Sequence, residues 1–107
     1  MVVHAQHIPH SRIVAAIQAK DLRFLLANRE SLSLAVEVEM CRLLAEQQPA
    51  KLDAASVEWI RQFAAEAVGQ QRPDYARIVE AFDRFPLNPD LSASQLVALC
   101  AARGIEP

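Results

Sequence analysis

Three histidines stand at a regular spacing near the start of the chain. His4, His7 and His10 form an H-x-x-H-x-x-H pattern. An extended polyproline-like segment repeats every three residues, so on such an arm the three rings project from one side. Neutral imidazoles grouped this way are ligands for Zn(II), Cu(II) or Ni(II). If Met1 is removed, Val2-Val3-His4 offers a free amine, two amides and an imidazole, a set that wraps Cu(II) or Ni(II) in a square plane. Transition-metal binding through His4, His7 and His10 is therefore one functional expectation. No Cys-x-x-Cys or His-Glu-x-x-His pattern accompanies it, and the bland alternative is a polar arm with no dedicated ligand or cofactor.

Cys41 and Cys100 are the only thiols. Each lies in an apolar helical stretch, whereas a reactive thiolate needs an electropositive, partly exposed setting or a neighbouring base. Core packing is the reading for both. Glu37 falls on the apolar arc of its helix. If buried it would have a raised pKa and the makings of a base, but its first-turn position favours a solvated carboxylate near the helix dipole. A small enzyme built on Cys41 or Glu37 with a histidine from the arm is the third-ranked reading, and no catalytic residue is assigned.

Apolar surface in surplus is the remaining chemical feature. Trp59 lies at the edge of its helix's apolar arc. The stretch 93–103 is apolar almost all round, through Leu96, Val97, Ala98, Leu99 and Ala101. A chain of this size has few places to hide such stripes, and leftover ones mark partner surfaces. The leading expectation is a non-enzymatic accessory, adaptor or regulatory module. It docks a helix face onto a protein partner or itself, with Trp59, Leu96, Val97 and Leu99 as contact residues.

Composition bounds the scaffold. The chain has 107 residues, 52% hydrophobic and 22% charged, with only two glycines. It has apolar content enough for one packed domain, and too little glycine for the many positive-φ turns of a β-sandwich or barrel. The net charge of −2 provides no general attraction for nucleic acid or anionic lipid. No apolar run reaches the roughly 18 residues of a membrane span, and histidines interrupt any leader-like apolar core. A cytoplasmic protein with reduced thiols is expected. Nine arginines against two lysines suggest a GC-rich bacterial genome.

The elements follow from periodicity and punctuation. Residues 1–10 are expected as an extended arm ending near Pro9, and 11–107 as one all-α domain of five or six short helices. Ser11 can cap a first helix bearing Ile13, Val14, Ala16 and Ile17. A break at Lys20-Asp21, with Asp21 as cap, separates a second over Leu22 to Asn28. Residues 32–40 alternate like a strand, yet no turn signal parts them from the helical stretch that follows. One central helix over 32–48, stopped by Pro49, is favoured. Asp53 can cap the next, with Leu52 stapled onto Val57 and an inner face of Val57, Ile60, Phe63, Ala64, Ala67 and Val68. Pro73 or Asp74 opens another, in which Tyr75, Ile78, Val79 and Phe82 form the inner row and Glu80–Arg84 an outer pair. Ser92 and Gln95 form a capping box for the last helix, which Gly104 stops.

Two resemblances accompany this reading. The run Leu91-Ser-Ala-Ser-Gln-Leu-Val-Ala-Leu-Cys-Ala-Ala-Arg-Gly-Ile105 resembles the first half of a SAP-type DNA-binding motif, though that motif's second helix and basic residues do not follow. Five or six short helices in about a hundred residues are also similar to the helix count of death-fold adaptor domains, a likeness of architecture with no motif behind it.

Overall fold

A computed structural model describes residues 8–106. These residues form six α-helices and no strand: α1 (His10–Gln18), α2 (Leu22–Ala27), α3 (Leu34–Gln47), α4 (Leu52–Glu66), α5 (Arg72–Arg84) and α6 (Pro89–Ala102). Short 3-10 turns, Arg29–Ser31 and Pro49–Lys51, precede α3 and α4. Helix α3 is the hub, packed on α4 along one side and on α6 along another, while α5 lies against α6 and α2 against α3.

Local chemistry accounts for most of the boundaries. Helix α1 ends in a Schellman turn: the Asp21 amide donates to the Ala16 carbonyl and the Lys20 amide to that of Ile17. Lys20 takes the positive φ (54°) that this turn demands. Asp21 then caps α2, its side chain accepting from the Phe24 amide at 3.1 Å. Ser33 caps α3 through the Val36 amide at 3.2 Å. The alternating stretch 32–40 is thus helical from Leu34, and α3 buries Leu34, Val38, Met40, Cys41, Leu43 and Leu44. At the far end, Gly104 (φ 76°) closes α6 in a second Schellman turn, where the Ile105 amide donates to the Cys100 carbonyl and Ile105 is buried.

Several expectations about helix starts and faces are corrected. His10 is the first residue of α1 rather than the last of an arm, because Pro9 opens the helix in place of Ser11. Helix α4 turns inward on Leu52, Ala55, Trp59 and Phe63, leaving Val57 and Val68 outside. The i, i+3, i+7, i+11 row through the tryptophan buries more apolar area than the row through Val57. Asp53 makes no side-chain cap there, since the preceding 3-10 turn feeds directly into the helix. Helix α6 starts at Pro89, with the Asn88 side chain accepting from the Leu91 amide. An Asn cap with proline at the first helical position outcompetes the Ser92 box, and Ser92 ends up fully buried inside the helix.

One core unites all six helices. At its centre Trp59 stacks on Phe63 (centroids 5.7 Å apart) and meets Phe82 edge-on at 5.8 Å. The indole Nε1 donates to the Leu34 carbonyl at 3.0 Å, pinning α4 to the first turn of α3. On α5 the buried row is Asp74, Ile78, Ala81 and Phe82, with Val79 outside and the Glu80–Arg84 pair on the wet face.

Candidate functional site

Helix α6 is continuous in charge-free sequence from Leu91 to Ala102. Its inward side places Ala93, Leu96, Leu99 and Cys100 in the core. Its outward side presents Leu91, Ser94, Gln95, Val97, Ala98, Ala101 and Ala102. Leu91 is 44% exposed and Val97 39%, and Leu87, in the turn just before α6, is 87% exposed. Most helices on a domain surface carry charge on the solvent side; in α6 Asp90 of the first turn does so, paired to Arg42, and no charge follows from Leu91 to Ala102.

Beside this face runs a groove between α5 and α6 of about 420 Å³, lined by Arg77, Glu80, Gln95, Leu96, Ala98, Leu99 and Ala102. Its floor is apolar and its α5 rim bears one cation and one anion. Small residues at 98 and 102 let another backbone come close.

The four residues expected to touch a partner therefore part company. Val97 lies outside. Leu96 and Leu99 belong to the core and reach the exterior only as the groove floor. Trp59 has no exposed surface and is corrected from contact residue to centre of the aromatic cluster. Its indole N–H already has a buried partner, and the ring supplies the largest apolar area in α4. The groove between α5 and α6, and the exposure of Leu87 and Leu91, were missed in sequence. The signal was the row Leu91, Gln95, Ala98, Ala102, spaced 4-3-4 without a charge.

The other chemical candidates are placed as follows. His4 and His7 lie outside the described residues. His10 is exposed at the start of α1. Among the described residues no group of three His, Cys, Asp or Glu side chains is arranged to hold a metal ion. Cys41 and Cys100 are free and buried. Burial, reinforced by Glu37, pushes the Cys41 thiol up to about 12, and burial with Glu66 pushes Cys100 to about 11. Thiols held protonated in this way are poor nucleophiles.

Glu37 is only 2% exposed, contrary to the solvated first-turn expectation. The 3-10 turn before α3 brings Arg29 over it, with Nε donating to Oε1 at 3.0 Å and Nη2 reaching the Ala55 carbonyl at 3.5 Å. Oε2 has no partner. Burial raises the Glu37 pKa despite the Arg29 guanidinium. Leu32, Glu58, Arg61 and Gln62 lie along the same α3–α4 cleft.

No helix among the described residues is long and apolar enough to cross a membrane. Comparison with family models, with curated proteins and with solved structures finds no match, so the outer face of α6 is interpreted on its own geometry.

Proposed function

We propose that this chain is a non-enzymatic interaction module, an accessory, adaptor or regulatory protein that docks through the outer face of α6 and the groove beside it. The observation that carries this reading is the uncharged outer side of α6 from Leu91 to Ala102, with Leu91 and Val97 exposed, around a core already filled by Trp59, Phe63 and Phe82. Apolar side chains left outside a filled core gain most from a partner surface. Free, buried Cys41 and Cys100 suit the reducing cytoplasm.

A photo-crosslinking residue at position 98 of the full chain tests the proposal, with position 61 on α4 as control. The expected result is an adduct from 98 and none from 61, lost when Val97→Asp is added to a protein whose circular dichroism is unchanged. Equal labelling from both positions, or none from 98, overturns it.

A further inference from the structure

We propose that the cleft between α3 and α4 binds a small alkylammonium ion, whose N–H donors complete the Glu37 carboxylate. The site shares no residue with the α5–α6 groove and stands independently of the docking reading.

The case begins with Glu37. Its side chain is 2% exposed and lines the cleft, and its Oε2 has no hydrogen-bond partner among the described residues. Folds leave few buried acceptors without a donor, because each one gives up water for nothing. The other oxygen, Oε1, accepts from Arg29 Nε at 3.0 Å, and Arg29 lines the same cleft. Arg29 turns its Nη2 instead to the Ala55 carbonyl at 3.5 Å. The two oxygens of one carboxylate are neighbours, so a donor that enters beside Arg29 meets Oε2. Glutamine would fill the same space with no charge to desolvate. What distinguishes the carboxylate is the cation it attracts.

The charge around the cleft selects the sign of the ligand. Glu30 and Glu58 stand on its walls with Glu37, and Glu66 adds a further negative charge within range of Glu37. Arg29 is committed to Glu37. Arg61 lies 3.8 Å from Glu58 and is 74% exposed, so water and salt screen it. The balance is negative, which draws cations and repels free carboxylates and phosphates.

Donor chemistry selects the kind of cation. A metal ion needs several protein ligands, and no group of three His, Cys, Asp or Glu side chains is so arranged among the described residues. A primary ammonium brings several N–H donors of its own. It needs one acceptor at depth and leaves its remaining donors to rim carboxylates or water. Leu32 and Ala65 supply apolar wall for a short carbon chain. The cleft holds about 530 Å³, within the range of small-molecule sites. It is open to water, so binding is modest, with a Kd on the order of 1 mM.

Titration of the full chain with n-butylammonium chloride tests this, followed by amide chemical shifts at constant ionic strength and about pH 8, well above the carboxylate range. The expected result is saturable movement centred on Arg29, Glu37 and Glu58, half-complete at roughly 1 mM. Tetramethylammonium, a cation with no N–H donor, binds at least tenfold more weakly, and butyrate does not bind. Glu37→Gln weakens butylammonium at least tenfold, while Glu80→Gln on α5 leaves it unchanged. The tetramethylammonium arm uses the unaltered chain and decides the matter even if Glu37→Gln misfolds. No saturation by about 50 mM, equal binding of tetramethylammonium, or undiminished binding by a folded Glu37→Gln overturns the proposal. Movement spread over exposed carboxylates such as Glu80 and Asp83 is adventitious ion pairing and overturns it as well.

Discussion

Asp74 and Glu37 are both buried carboxylates paired to an arginine, and they behave in opposite ways. Asp74 is 1% exposed and Glu37 2%. Asp74 has both oxygens engaged: Oδ2 accepts from the Gln71 amide at 2.8 Å and from Arg103 Nε at 2.9 Å, and Oδ1 from Arg103 Nη2 at 3.0 Å. Glu37 has one bond, from Arg29 Nε, and an unpartnered Oε2. The Arg103 fork and the Gln71 amide hold the Asp74 carboxyl below its ordinary value, and Asp74 in turn raises Arg103. For Glu37, burial outweighs Arg29 and the carboxyl is raised. Both side chains are covered, but Glu37 lies deeper with one donor and Asp74 nearer the rim with three, and depth and donor number together send their titrations in opposite directions. Asp74 joins the start of α5 to the end of α6, whereas Glu37 is a charge the fold holds at a cost.

That contrast can be broken in four measurements. The largest effect is expected for Asp74→Ala, which strands the Arg103 guanidinium and the Gln71 amide together. Its melting temperature falls further than that of Glu37→Ala, and the reverse order would end the comparison. Trp59→Phe comes next. It keeps an aromatic core but removes the N–H···O bond to Leu34, and costs about 1–2 kcal/mol in urea unfolding. A loss below the error of the fit would mean that this buried N–H···O bond adds nothing to stability.

The third is a pH series. Asp74 is depressed, so its contribution is present above its ordinary 3.8 and is lost as pH falls through the lowered folded value. Glu37 is raised, so its contribution is present below its ordinary 4.5 and is lost as pH climbs through the raised folded value. Asp74→Asn therefore flattens the acid limb of the stability curve. Glu37→Gln instead gains on the wild type as pH rises above 4.5. Parallel curves for Glu37→Gln and wild type would show that Oε2 is solvated.

The smallest effect belongs to Ser92, whose buried Oγ also lacks a partner. Ser92→Ala is expected to stabilise by about 0.5–1 kcal/mol, from a better helix former and one fewer stranded hydroxyl. Destabilisation would reveal a bond for that oxygen.

The all-α architecture was legible because its signals are local. The Asp21 cap, the Pro49 stop and the Gly104 turn involve residues within a few positions of each other, and the lack of a turn signal before the helical stretch favoured one helix over 32–48 against the strand pattern of 32–40. What escaped depends on distant segments. The rotation of α4 follows from Trp59 reaching the Leu34 carbonyl, 25 residues away. Glu37 is covered because Arg29 and α4 close over it, which a helical wheel of α3 alone does not display. Asn88-Pro89 held a stronger start signal than the Ser92 box expected to open the last helix. As for the docking face, the apolar surplus of α6 was visible in sequence. Which of its residues stay outside was decided only by the neighbours that took Leu96 and Leu99.

The elbow between α1 and α2 has a consequence for stability. A lysine in the left-handed basin is disfavoured by roughly 1–2 kcal/mol, and the Schellman bonds of α1 and the Asp21 cap of α2 hold Lys20 there. The bend is secured from α3: Glu46 receives the Lys20 ammonium at 3.1 Å, and Gln47 Nε2 donates to the Lys20 carbonyl at 3.2 Å. The elbow thus carries its strain on one side chain, and a glycine in place of Lys20 would keep the bend while removing that strain.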